Sequence, residues 1–479
     1  MDDTASLDAT AQAELVRQGQ ASPAELVEAA IARVEALNPQ LNAVIHERYD
    51  RARTEAAGDL PDGPFRGVPM VMKDLICAME GEPFCEGAAF LKDIGNRSDH
   101  TQELARRFRR AGFVVVGRTN TPEFGILPTT EPEAFGPTHN PWDPARSTGG
   151  SSGGSAACVA SGIVPVGHAN DGGGSIRIPA SECGLVGLKP NRARVPLGPE
   201  YGDVMGGLVC ELVVTRSVRD TAAVLDAVRG PLIGDPYAAP PAPADGYMAQ
   251  VGTDPGTLRI GIMTGSPSGS PVHADCVAAT EAAGRLLETL GHQVEPSSPA
   301  ALAEPDFTPH FVNYWAAGAA WSIDYWAAEL GRSITADDVE AGTWGLAELG
   351  WSVNAAQWLL AREWLQANTR RVLSWWDDGW DLLLTPTIAE PPPPLGSFDS
   401  PADNPLHGIF RAAELVPFTP PFNVTGQPAI SVPLIESDEG LPIGIQLVGA
   451  LGREDLLLRV AAQLEQASPW ADRRPAIHA

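Results

Sequence analysis

Two glycine runs that carry serines are the places in this chain where covalent chemistry could be done. The first, "RSTGGSSGGSAACVASG", runs from Arg146 to Gly162; the second, "NDGGGSIRIPA", brings Gly172, Gly173 and Gly174 up to Ser175. Composition alone reads the first as a flexible linker. Linkers, however, do not pass directly into apolar sequence that reads as helix and strand, as both of these runs do. Glycines permit tight turns and leave backbone N–H groups unobstructed, which is what an oxyanion hole beside a serine nucleophile requires. A phosphate cradle requires the same amides, but it also needs Lys followed by Ser or Thr after its last glycine. Ser155-Ala156 and Ser175-Ile176 stand there instead.

A serine nucleophile needs a base. His168 lies on the strand-like segment that leads into the second run, where a lone histidine usually satisfies local hydrogen bonds. Lysine is the other option, and only Lys73, Lys92 and Lys189 occur. Lys73 follows "GVPMVM", an apolar setting that would strip water from its ammonium, lower its pKa and let it act as a neutral base. It could equally be paired with Asp74 at a strand end, which would push the pKa back up. The residues alone leave both readings open.

These groups need a rigid frame. "SPAELVEAAIARVEALNP" predicts an amphipathic helix with Ser22 as N-cap, Pro23 at the first position, Glu25 closing a capping box and a stop at Asn38-Pro39. "ARRFRRAGFVVVGRTNTPE" reads as helix, glycine turn and buried strand, and "AACVASGIVPVGHAND" as helix and strand. Further buried strands are expected at 258–265, 381–387 and 428–434, with a strand, turn and closing helix after Gly444. Alternating helices and apolar strands predict an α/β fold: one large mixed, mostly parallel twisted sheet with helices on both faces. The proline-rich stretches 234–247 and 390–405 are flanked by strands and read as surface excursions from that sheet. Residues 303–380 read as helical and hold ten of the twelve tryptophans. Most serve packing, while Trp315 and Trp321 are the candidates for an apolar substrate wall.

Composition narrows the partners. A formal net charge of -27 and a pI near 4.6 repel phosphates and anionic lipid, so neither nucleic acid nor a membrane surface is expected as a partner. Neutral or cationic small molecules fit better. The acidic N-terminus and the lack of any apolar run near ~20 residues predict a cytoplasmic protein. The six cysteines have no CxxC spacing and the nine histidines no ligand pattern, so neither a metal nor another cofactor is expected, and the thiols read as buried and free.

The stretch "GGSSGGSAACVASGIVPVGHANDGGGSIRIPASECGLVGLKP" resembles the signature region of the amidase signature family, and the resemblance extends to "GVPMVMKDLI", "TNTPEFG", "TRSVRDTAAVLD", "PFNVTGQPAISVPL" and "GLPIGIQLVG". It implies a Ser–cis-Ser–Lys triad with Ser175 as nucleophile, Ser151 as relay and Lys73 as base. The spacing of 24 positions between Ser151 and Ser175 matches relatives and favours Ser151 over its neighbour Ser152. The resemblance also implies a cis peptide before Ser151, an oxyanion hole from the amides of Gly172, Gly173, Gly174 and Ser175, and Ser152, Asp171 and Arg177 as residues bracing the loops. Asn170 and Asn191 depart from the family pattern.

By the same resemblance the chain is one amidase domain, 1–479. It would comprise an N-terminal helical region to about 60, a signature core of about 61–230, a pocket-lining helical region of about 296–380 and closing strands and helix from about 381. The expected activity is hydrolysis of neutral small-molecule amides through an acyl-enzyme. "TEPEAFGPTHNPW" and "GREDLLLRVAAQLE" look most similar to members that open amides of nylon by-products. Carbamate or aryl ester hydrolysis uses the same chemistry. A role as the amidase subunit of a transfer-RNA-dependent amidotransferase is weakened by the acidic surface, and a non-catalytic binding module by the intact triad. A homodimer is left open. Pocket shape is expected to be set by 303–330 and 390–420, where the resemblance is poorest.

Overall fold

In the computed structural model, which describes residues 3–479, eleven strands form a single sheet. They are β1 (Val44–Glu47), β2 (Pro69–Lys73), β3 (Val114–Thr119), β4 (Val166–Asp171), β5 (Val186–Lys189), β6 (Cys210–Thr215), β7 (Arg259–Ile262), β8 (Gln293–Pro296), β9 (Leu382–Pro386), β10 (Ala429–Glu436) and β11 (Pro442–Gly449). Their spatial order is β1-β3-β2-β4-β6-β5-β10-β11-β9-β7-β8. Every residue of β2, β3, β4, β5, β6, β9 and β11 is buried, so these strands show no alternation of apolar and polar residues, and the polar ones they carry, such as His168 and Asp171 in β4, are buried with them.

The sheet is mixed, as expected, but antiparallel ladders outnumber parallel ones. Parallel pairing is confined to β2 with β3 and β4 and to β7 with β8 and β9. The β4/β6, β5/β6, β5/β10, β10/β11, β9/β11 and β1/β3 ladders run antiparallel. A buried apolar run carries no mark of strand direction, so the expectation of a mostly parallel sheet is corrected here.

The helix Pro23–Leu41 starts as predicted. Ser22 Oγ accepts from the Glu25 N–H while the Glu25 carboxylate accepts from the Ser22 N–H, and Pro23 sits in the first turn. It runs through Pro39 to end on Asn42, which has φ 48°. The region to about residue 60 is not purely helical, because β1 adds an edge strand against β3. The tryptophan-rich region forms three helices, Phe307–Leu330, Ala341–Ser352 and Ala355–Asp377. Both proline-rich stretches run outside long regular elements, and the strands on either side of each belong to the same sheet. Among the described residues, no helix is long and apolar enough to cross a membrane.

Candidate active site

Three adjacent features of the sheet assemble the site. β2 ends at Lys73, β4 runs into the second glycine run, and the helix Gly153–Ala160 follows the first. Lys73, fully buried, places its Nζ 2.6 Å from Ser151 Oγ, 3.0 Å from Ser152 Oγ and 2.6 Å from Asn170 Oδ1. Burial holds its pKa well below the usual lysine value, although Glu211 and Asp171 pull the other way.

Asp74 does not pair with Lys73. Its carboxylate turns away, accepting from Arg118 Nε at 2.8 Å and from the Cys85 N–H at 3.0 Å. Of the two readings the sequence left open, the ion pair is therefore absent and the desolvated lysine is present.

The Gly150–Ser151 peptide is cis. Gly150 packs so closely on the next loop that a Cβ there would come within 2.3 Å of the Thr129 carbonyl oxygen. Ser151 lines a cavity together with Ser175; Ser152 does not, and its hydroxyl instead donates to the Asn170 carbonyl at 3.3 Å. Ser151 is thus the hydroxyl that faces both Lys73 and the cavity. Replacing Ser151 with alanine is expected to lower kcat by about 10²-fold or more, the usual weight of a positioned proton-transfer group. Ser152→Ala should cost far less, and parallel kinetics on the two variants check the order.

Ser175 follows a loop whose N–H groups, Gly172 through Ser175, donate to no backbone carbonyl among the described residues. Gly174 has φ +139°, and a Cβ on it would meet Thr419 Oγ1 at 2.4 Å, so the position demands glycine. The Thr419 hydroxyl donates to the Gly173 carbonyl at 2.7 Å and fixes the loop from the far side. Such a row of free amides can hold a developing oxyanion.

Beneath the loop, Arg177 grips Asp171 with two bonds of 2.9 Å. It also donates to the Thr419 carbonyl, to Gln446 Oε1 and to Asn423 Oδ1. Burial would raise the Asp171 carboxyl, but the Arg177 guanidinium outweighs it and holds it at about 2. Ion-paired and hydrogen-bonded groups of this kind lock a loop's geometry. Thr419, Asn423 and Gln446 were not singled out in the sequence: the last two lie within "PFNVTGQPAISVPL" and "GLPIGIQLVG", but nothing local marks them as partners of residues about 250 positions away. Asn170, seen there only as a departure from pattern, is a direct partner of Lys73. Asn191, the other departure, bonds Glu454 and Gly452 and lines neither cavity at Ser175.

Ser175 stands where two cavities meet. The larger, about 350 Å³, is walled by Leu302, Phe307, Phe311, Trp315 and Val416; the smaller, about 50 Å³, by Ser151, Asn170, Tyr201, Trp321, Tyr325 and Glu86. Trp315 borders both, and its indole N–H donates to the Ile126 carbonyl. Trp321 borders only the smaller one and is 42% exposed.

His168 is fully buried, with Nε2 3.3 Å from Glu211 Oε1, an edge contact to Phe108 and no place in either cavity wall. All six cysteines are buried and free. The fold does gather two trios that the sequence spacing did not reveal, His46/Asp74/Cys85 and Cys77/His168/Glu211. Burial pushes both thiols up, that of Cys85 to about 12, so they are protonated in the metal-free chain.

The Amidase family profile matches residues 25–458. The chain is 44% identical over 476 residues to the 6-aminohexanoate-cyclic-dimer hydrolase of Paenarthrobacter ureafaciens, covering 98% of this chain and 96% of that protein. A solved structure of 6-aminohexanoate cyclic dimer hydrolase complexed with substrate superposes with a TM-score of 0.95 at 44% identity, covering 99% of each chain. A bacterial aryl acylamidase of the amidase signature family superposes at 0.85, with 27% identity and 98% of each chain covered. A match of this extent, on a frame that joins a buried lysine to a serine on a cis peptide, makes this chain a member of the amidase signature family.

Proposed function

We propose that this amidase hydrolyses the C–N bond of neutral small-molecule amides through an acyl-enzyme on Ser175, and that the whole chain works as one domain. The observation that carries the reading is the contact of a desolvated Lys73 with Ser151 at the edge of the cavity that Ser175 shares. Neutral Lys73 takes the Ser151 proton as Ser151 takes that of Ser175, and Ser175 Oγ attacks the carbonyl carbon. The amides of Gly172 to Ser175 receive the oxyanion. As the tetrahedral intermediate collapses, the C–N bond breaks and the relay returns the proton to the leaving amine. Water then attacks the acyl ester, gives its proton to the same relay, and releases the acid and Ser175.

The apolar walls of the larger cavity favour an acyl group that is itself apolar. The 6-aminohexanoate cyclic dimer named for the relatives is therefore the first compound to test, beside a linear amide, an anilide and a carbamate. Hydrolysis of the cyclic or linear amide with the highest kcat/KM supports the reading, and turnover of carbamate alone overturns it. In the same panel Trp315→Ala is expected to raise KM several-fold. An unchanged KM would leave Trp315 as packing only.

A further inference from the structure

Beside the larger cavity at Ser175 lies another of about 300 Å³ with a different chemistry. The two share Ile126, Leu127 and Ile409 as walls. Five carboxylates line the neighbouring cavity, from Glu123, Glu131, Glu133, Glu340 and Asp399, and no lysine or arginine does. Glu123 is only 1% exposed; its Oε2 accepts from the Glu340 N–H at 2.9 Å. Glu123 Oε1 and Thr343 Oγ1 lie near each other but neither finds a partner in hydrogen-bond geometry. A buried carboxylate oxygen left unsatisfied is costly, and a cationic donor would relieve it. Phe398, Ile126, Leu127 and Ile409 add apolar surface.

The chemistry of the ligand follows from this mixture. Among the described residues, the trios able to converge on one metal ion lie elsewhere, so these carboxylates are spread along walls rather than gathered around a point. Spread carboxylates beside apolar wall suit an ammonium on an alkyl chain. We propose, resting on the amide hydrolysis inferred above, that this cavity binds a primary alkylammonium, presented by the amino end of a hydrolysis product. Burial and the facing Glu133 push the Glu340 carboxyl up to about 7, and burial and Glu340 push that of Glu123 well above its ordinary value, as expected of acids that lack a counter-ion.

The test does not depend on hydrolysis. Calorimetric titration of the full chain with hexan-1-amine in 150 mM salt (~8 Å screening length) is expected to show a saturable site, unchanged in Ser175→Ala, while hexan-1-ol binds at least tenfold more weakly. The double variant Glu131→Gln/Glu340→Gln should bind the amine at least tenfold more weakly. Equal binding of the alcohol, no saturable binding of the amine, or an unaltered affinity in the double variant would each overturn the proposal. Should that variant fail to fold by thermal unfolding, Glu133→Gln/Asp399→Asn, at two exposed positions, replaces it. An at least threefold loss is then expected, and no loss overturns the site.

Discussion

Ser175→Ala is expected to abolish amide hydrolysis, with kcat falling roughly 10⁴-fold or more, the scale seen when a serine nucleophile is removed from a relay that acts as a unit. Stability should barely move. Ser175 is 7% exposed and borders both cavities, so losing its hydroxyl opens no new void inside packed core. The change is expected to shift unfolding by less than about 1 kcal/mol. The Lys73–Ser151–Asn170 contacts remain, because none of them involves Ser175. Mass spectrometry of the parent enzyme quenched during turnover should find the acyl group on the peptide bearing Ser175. An adduct on Ser151 or Ser152, or full activity in the alanine variant, would move the nucleophile.

What the sequence reveals depends on whether the cause is local. The capping box of Ser22 and Glu25 is written within four residues, and so is the row of glycines before Ser175. Both were legible. β1 was not, because "VIHE" is too short to show a period and becomes a strand only by pairing with β3 across the fold. Strand direction was hidden for the same reason. At the site, Lys73 could be flagged from its apolar approach, yet the direction of Asp74 could not. It depends on Arg118, supplied by the neighbouring strand β3. The clamp of Asp171 and Arg177 is half legible: the pair lies six residues apart, but Asn423 and Gln446, which complete it, come from the far end of the chain. The acidic cavity was wholly invisible, since Glu123 and Glu340 meet only when the tryptophan-rich helices fold over the sheet.

The base itself gives the second large effect. A lysine with an ordinary pKa near 10.4 would be almost entirely protonated at neutrality and could not accept a proton. Among the described residues Lys73 has no carboxylate in contact, and its burial lowers the pKa well below that value. kcat/KM is therefore expected to rise as pH climbs through the depressed Lys73 pKa and to level off above it. Lys73→Met, which fills the space without a base, should be nearly inactive at every pH. The same depression fixes the sign for stability. The unfolded chain binds the proton that the folded chain rejects, so below the unfolded value Lys73 costs stability, and this cost fades as pH approaches about 10.4. Lys73→Met should thus unfold at a higher temperature than the parent near neutrality, by a margin that shrinks as pH rises. With only three lysines, isotope labelling of their side chains can follow Lys73 directly, assigned by Lys73→Arg. Lys189 must be assigned as well, by Lys189→Arg, because it too is fully buried and its pKa is lowered by burial. A Lys73 signal that titrates near 10.4, together with substantial activity in Lys73→Met, would remove the lysine from the mechanism.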